Sequence, residues 1–239
     1  MIDLVDLWVY LARDPLLWLT VTLVAYLIAN AISARLNQHP LANPVLIAVV
    51  LVALILLASG TPFPAYFAGA QFVHFLLGPA TVALAVPLVR YRPQIRRLLV
   101  PLLAALIVGS LTAIVSAVLL AEAFGLDGGA VRALAPKSAT AAIAMGTAEA
   151  VGADPALTAV LVILTGITGA MMITPLMKLL RLKNPAATGF AVGLASHGIG
   201  TARAFQIDSL TGAFAGIALG LNGLLTAILV PLILPLILR

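Results

Sequence analysis

The stretch LLWLTVTLVAYLIANAISA, residues 16–34, runs without a single charged side chain. A helix needs about 20 mostly apolar residues to cross the hydrocarbon core of a bilayer, and this stretch has that length. The rest of the chain is similar, because 63% of its 239 residues are hydrophobic and 9% are charged. An ordinary soluble domain is about 45–50% apolar and about 25% charged. The sequence therefore predicts a helical membrane protein with the lipid bilayer as its solvent.

Further apolar stretches predict about seven transmembrane helices in a single all-α transmembrane domain, 1–239. The six additional segments are 44–58, 66–89, 99–124, 155–180, 185–204 and 210–237. Gly78-Pro79 interrupts the third segment, and we expect a break there because proline removes a backbone donor. The intervening residues 125–152 are too polar and too glycine-rich for two clean crossings, so we expect a re-entrant or broken hairpin.

Two short basic loops set the expected orientation. RYRPQIRR (90–97) and KLLRLK (178–183) carry most of the positive charge, and such loops lie on the cytoplasmic side of a membrane. The N-terminus is then outside, and 125–152 begins and ends on the outer side. The net charge of +5 therefore indicates membrane orientation and no nucleic-acid partner.

The chain contains a weak internal repeat. NPVLIAVVLV (43–52) matches DPALTAVLVI (154–163), and GSLTAI (109–114) matches GLLTAI (223–228), at offsets of 111 and 114. With the orientation above, the paired segments run in opposite directions. Halves 16–124 and 127–237 would then form an inverted-topology repeat, an architecture typical of secondary transporters. In such folds the site lies where helices are interrupted, and the interrupted regions here would be 78–87 with 136–140, and 185–203.

The segment APKSATAAIAM places Lys137, Ser138 and Thr140 beside a predicted helix N-terminus. That end of a helix carries a partial positive charge and free N–H groups, and it suits an anion. We therefore consider these residues a candidate substrate site. The alternative is a lysine that snorkels to the outer surface.

A second candidate site is SHGIGTARA, residues 196–204, which holds Ser196, His197, Thr201 and Arg203. Arg203 either binds a carboxylate with two parallel hydrogen bonds or plays a structural role at a helix end. His197 either relays a proton or is a neutral side chain that bridges two helices. Ionisable groups inside a membrane are costly, which makes them functional candidates by default.

Thr81, Glu149 and Asn222 are candidates for a coupling or secondary role. Asn222 either binds a cation or packs against a neighbouring helix, and Glu149 either carries a proton or ends its helix near water. No nucleotide-binding or hydrolase motif is present, so we expect no enzyme activity and no cofactor, and H⁺ or Na⁺ as the coupling ion. No metal site is predicted.

Several longer motifs resemble the LrgB/CidB family of bacterial membrane proteins. They are LLGPATVALAVPL (76–88), PKSATAAIAM (136–145), PALTAVLVILTGITGA (155–170), SHGIGTARA (196–204) and GAFAGIALGLNGLLTAILVPL (212–232). The resemblance implies two possible functions. One is a holin/antiholin-like control of murein hydrolase export and autolysis with a small LrgA/CidA-type partner. The other is transport of small carboxylates, since related plastid proteins exchange glycolate and glycerate and bacterial members are linked to pyruvate-like acids.

Two departures from the family pattern lie beside the candidate sites. A Thr-Thr-Pro run usually follows PKS, where this chain has Ala139, Thr140 and Ala141; an acid usually stands where this chain has Gln206. The interrupted helices and the cationic residues favour a secondary transporter of small monocarboxylates that works by alternating access. We expect it in the bacterial inner membrane, as a homo-oligomer and by default a dimer.

Overall fold

The computed structural model describes residues 14–83 and 85–238, and these form two compact units, Met1–Ala83 and Leu84–Arg239. All regular structure in the described residues is helical. The first unit contains α1 Pro15–Arg35, α2 Pro44–Ser59, α3 Phe63–Phe75 and α4 Leu77–Ala83. The second unit contains α5 Ala85–Arg90, α6 Arg92–Arg97, α7 Leu99–Ala123, α8 Gly128–Leu134, α9 Ala141–Ala150, α10 Pro155–Leu179, α11 Pro185–Ile207 and α12 Ser209–Ile237.

Four helices begin with the same local signal, an Asp or Asn cap followed by proline. The side chains of Asp14, Asn43, Asp154 and Asn184 each accept a hydrogen bond from a backbone N–H in the first turn. Proline fits the next position because its missing N–H would have no partner there. These pairs fix where α1, α2, α10 and α11 start.

In the first unit, α1 packs against α2 and α3. Trp18 is fully buried, and its ring meets Tyr66 edge-on with centroids 5.9 Å apart. A Cβ added at Gly69 would lie 2.1 Å from the carbonyl oxygen of Pro15, so only glycine permits this approach of α3 to α1.

Four of the described helices are long and apolar enough to cross a bilayer: α1, α7, α10 and α12. This confirms the prediction of a helical, multi-pass membrane protein. The count of about seven crossings and the inverted repeat stay predictions, as does the division into halves 16–124 and 127–237. The segment 66–89 is divided among α3, α4 and α5, with the first break immediately before Leu77 rather than at Gly78-Pro79.

The second unit contains a hairpin where the polar composition of 125–152 predicts one. The short helices α8 and α9 are separated by a non-helical turn, residues 135–140. Ala133 of α8 and Ala148 of α9 are both buried in one small cluster with Ala153, which brings the two helices together at these residues. Helix α9 starts at Ala141, so Pro136, Lys137 and Ser138 belong to the turn that precedes it.

Residues 185–204 are a predicted crossing with an interruption expected within 185–203, and the structure places that break at Ser196 and His197. Ser196 and His197 have non-helical backbone angles, with φ of 41° at His197. A Cβ added at Gly200 would lie 3.2 Å from the carbonyl oxygen of Val192, whereas eight residues of straight helix span about 12 Å. Helix α11 therefore folds back on itself as a second hairpin, 185–195 and 198–207, and does not cross as one rod.

The first half of α11 lies against the start of α12 with backbone touching backbone. A Cβ at Gly189 would lie 2.0 Å from the carbonyl oxygen of Thr211, and one at Gly193 would lie 1.9 Å from that of Ala215. Small residues allow such close approach between membrane helices. Gly212, Gly216 and Gly220 are spaced four residues apart on α12; the first two are buried, whereas Gly220 is exposed and has nothing within 4 Å of an added Cβ.

Candidate functional site

The tips of the two hairpins meet at one buried side chain, Asn222 of α12. Its amide nitrogen donates to the carbonyl oxygens of Ser138 and Leu194, each at 3.1 Å. Its amide oxygen accepts a hydrogen bond of 2.6 Å from the Ser110 hydroxyl of α7. Asn222 is 1% exposed. It donates to one backbone carbonyl at each interruption, that of Ser138 in the 135–140 turn and that of Leu194 before the break in α11, and these buried acceptors need a partner. Of the two possibilities for Asn222, the geometry shows helix-to-helix hydrogen bonding.

The meeting point lies near the middle of the long helices that surround it. Ser110, Gly166 and Asn222 are close to the midpoints of α7, α10 and α12. Non-helical backbone at membrane depth is tolerated only where protein or a cavity surrounds it. The buried tips of both hairpins meet that condition.

His197 occupies the second break. Its Nε2–H donates to the carbonyl oxygen of Val162 at 2.8 Å, which fixes the tautomer because a carbonyl can only accept. The side chain is 5% exposed. A positive φ outside glycine costs of order 1–3 kcal/mol and persists only where the surroundings enforce it. This bond between helices is one such constraint.

Two glycines of α10 make room for the break. A Cβ at Gly166 would lie 2.4 Å from Cε1 of His197, and a Cβ at Gly169 would lie 1.7 Å from the Ser196 hydroxyl oxygen. Ser196 and His197 are both buried. The Thr201 hydroxyl then donates to the His197 carbonyl oxygen at 2.8 Å, which satisfies a carbonyl beside the break.

Lys137, Ser138 and Thr140 lie in the first hairpin's turn, as the motif predicts. Thr140 is the N-cap of α9, and its hydroxyl accepts a long hydrogen bond of 3.5 Å from the Ile143 N–H. Lys137 is partly buried and within range of an electrostatic interaction with His197. No carboxylate of the described residues pairs with the Lys137 amine.

Arg203 and Glu149 lie away from the junction of the tips. Arg203 is in the second half of α11, where its Nη1 donates to Oε1 of Gln206 at 2.9 Å. Its Nε is buried and has no hydrogen-bond partner among the described residues. Glu149 is exposed near the end of α9. This position agrees with the interpretation that Glu149 ends its helix near water. The Thr81 side chain lies outside the part that the structure describes.

Sequence reasoning missed the supporting residues: Ser110, Gly166, Gly169 and the carbonyls of Val162 and Leu194. Ser110 belongs to GSLTAI, and the matching repeat word GLLTAI begins directly after Asn222. The internal repeat was therefore a sequence signal that could have linked Ser110 with Asn222. Nothing in the sequence indicates that Gly166 faces His197, because this depends on the hairpin in α11. Among the described residues no group of His, Asp or Glu could hold a metal ion.

Comparisons with known proteins agree with the motifs. The LrgB-like family matches residues 22–236. A protein of Bacillus mycoides (strain KBAB4) named "Antiholin-like protein LrgB" is 31% identical over 93% of this chain and 97% of its own length. Proteins of the same name from Bacillus cereus (strain B4264) and Bacillus anthracis (strain CDC 684 / NRRL 3495) are 30% identical with the same coverage. No solved structure matches. The similarity thus spans both hairpins and the four long helices, and the chain belongs to the LrgB-like family of membrane proteins.

Proposed function

We propose that this chain acts as an antiholin-like membrane protein, which regulates murein hydrolase activity and autolysis together with a small LrgA-type membrane partner. The observation that supports this is the name shared by relatives that align over 97% of their length. Of the two functions that the sequence leaves open, the similarity favours this one over carboxylate transport.

The test is an autolysis assay in the bacterium that encodes the chain. Deletion of the gene should change the rate of detergent-triggered lysis and the hydrolase activity in the medium, and the parent gene should restore both. The LrgA-type partner should co-purify with the chain from membranes. Unchanged lysis in the deletion strain would refute this function.

A second function, transport of a small carboxylate, is favoured by the two hairpin tips that meet at Asn222. In secondary transporters, helices interrupted near the bilayer midplane form the substrate site. Here α9 and the second half of α11 both begin at the tips. Their N-termini contribute partial positive charge, and the Lys137 amine has no carboxylate of the described residues beside it. A monocarboxylate such as glycolate, glycerate or pyruvate would supply the missing negative charge.

This second function is tested by uptake of labelled carboxylates into proteoliposomes that contain only this chain, with and without a pH or Na⁺ gradient. Saturable uptake that falls at least tenfold in Lys137→Gln supports a carrier. Arg132→Gln is the matched control, because Arg132 is an exposed cation of the same hairpin outside the turn. No uptake, or leakage of large dyes alongside it, would exclude the carrier and leave the antiholin-like function.

A further inference from the structure

A groove of about 480 Å³ runs between α7 and the first half of α11, within the second unit. One face of α7 forms one wall, with Leu98, Leu102 and Ala105. One face of α11 forms the other, with Phe190 and Leu194. Asn184 is the one polar side chain among the lining residues. The groove surface is therefore almost entirely apolar, which suits an apolar ligand.

The lining residues extend along both helices from their first turns. Leu98 and Asn184 are the N-caps of α7 and α11, and we call the end of the groove at these two residues its mouth. At the other end Gly109 meets Leu194, because a Cβ added at Gly109 would lie 2.8 Å from Cδ1 of Leu194. The ten residues of α11 from the mouth to Leu194 span about 15 Å at the usual helical rise. That length suits an extended acyl chain better than a compact organic acid.

Basic residues lead up to the mouth in the sequence, because Arg97 directly precedes Leu98 and Lys183 directly precedes Asn184. The two segments that end there carry seven basic side chains, all exposed: Arg90, Arg92, Arg96, Arg97, Lys178, Arg181 and Lys183. Helix α6 is fixed there because Ile95 packs on the same cluster as Ala186 and Phe190. Neither 85–121 nor 155–207 contains an aspartate or a glutamate, so no acid of these segments neutralises the charge.

We propose that this groove binds an anionic phospholipid, with one acyl chain between α7 and α11 and the headgroup phosphate among the arginines and lysines at the mouth. Basic pockets between membrane helices bind anionic headgroups in this way. A small carboxylate does not fit, because the groove wall has no donor for it beyond Asn184. A neutral phospholipid would leave the seven cations without a partner.

The proposal is tested by native mass spectrometry of the full chain in detergent, with phosphatidylglycerol, phosphatidylcholine of the same acyl chains, and glycerol phosphate. We expect phosphatidylglycerol to be retained at least tenfold over phosphatidylcholine. Arg96→Gln and Arg97→Gln should each lower its retention about fivefold. Glycerol phosphate should not compete at equal concentration, because it lacks the acyl chain.

The groove itself is tested by Ala105→Phe, which places a bulky side chain in the groove. The control is Ala104→Phe, because Ala104 is exposed like Ala105 but does not line the groove. We expect the first variant to lose retained phosphatidylglycerol and the second to keep it. Equal retention of the two lipids by the parent would overturn the proposal, as would equal behaviour of the two phenylalanine variants. A shift from dimer to monomer in Ala105→Phe would instead assign the groove to a second copy of the chain. Because Arg96 and Arg97 are exposed, their variants remain decisive if a phenylalanine variant misfolds.

Discussion

Gly166 of α10 and the imidazole of His197 touch so closely that no larger residue fits at position 166. An added Cβ would lie 2.4 Å from Cε1 and 2.7 Å from Nε2 of the ring. The ring cannot retreat without giving up its hydrogen bond to the Val162 carbonyl oxygen. The break in α11 therefore depends on a glycine one helix away.

We expect Gly166→Ala to destabilise the protein by about 1–3 kcal/mol, the usual cost of overpacking. Gly220→Ala is the matched control, because Gly220 lies in a helix with nothing within 4 Å of an added Cβ. Alanine there should stabilise by about 0.5–1 kcal/mol through lower backbone entropy. Thermal unfolding of the purified protein in one detergent measures both. Equal melting temperatures would contradict the close contact.

Asn222→Leu should cost about 2–4 kcal/mol, because it leaves the Ser138 and Leu194 carbonyls without their donor and the Ser110 hydroxyl without its acceptor. Ser110→Ala removes one of the three bonds and should cost about 1 kcal/mol. A double-mutant cycle over the two positions should show non-additive effects. Additive losses would mean that the two side chains do not share one network.

His197→Gly should be less destabilising than His197→Ala. Both lose the bond to Val162, but only glycine adopts φ of 41° with ψ of −136° without steric cost. The difference should be about 1–3 kcal/mol, the strain expected for such a position. Urea or thermal unfolding of the two variants measures it. If alanine is the more stable of the two, the backbone at 197 is not strained.

Much of this arrangement follows from the sequence, and the remainder depends on contacts between distant segments. The apolar runs predict where α1, α2, α10 and α12 lie, and the polar, glycine-rich composition predicts a broken hairpin at 125–152. The glycines of 185–203 predict an interruption there, but nothing in SHGIGTARA places the reversal at Ser196–His197, because the motif has neither proline nor a long polar run. It is held by Val162, Gly166 and Asn222 from two other helices. Arg203 stays a predicted carboxylate ligand, and within the described residues its Nη1 donates to Gln206, one turn away.

Gln206→Glu should strengthen the contact with Arg203. The parent has a neutral acceptor 2.9 Å from Nη1, and a carboxylate would make this a charge-assisted bond. The gain should be about 0.5–1 kcal/mol, because Arg203 is only partly buried. Gln206→Leu should instead destabilise, since it removes the one side-chain acceptor that the guanidinium has among the described residues. Melting temperatures that rank Leu above Glu would contradict this pairing.

Asp208 begins α12, and its carboxylate accepts hydrogen bonds of 2.9 Å from the N–H groups of Leu210 and Thr211 and another from the Thr211 hydroxyl. Burial raises the pKa of Asp208, but these hydrogen bonds outweigh it and hold the pKa below its ordinary value. A carboxyl with a lowered folded-state pKa stabilises above its unfolded pKa of about 4, and this contribution is lost as the pH falls through the folded value.

Asp208→Ala should therefore cost about 1 kcal/mol at neutral pH, the usual value of an N-cap. Asp208→Asn keeps the cap geometry without the charge and should cost less. Melting temperatures of the parent and both variants between pH 7 and pH 3 give the test. The advantage of the parent over the asparagine variant should shrink on acidification, because the parent then loses its charge. A constant difference across that range would show that the carboxylate charge at position 208 does not contribute to the stability of α12.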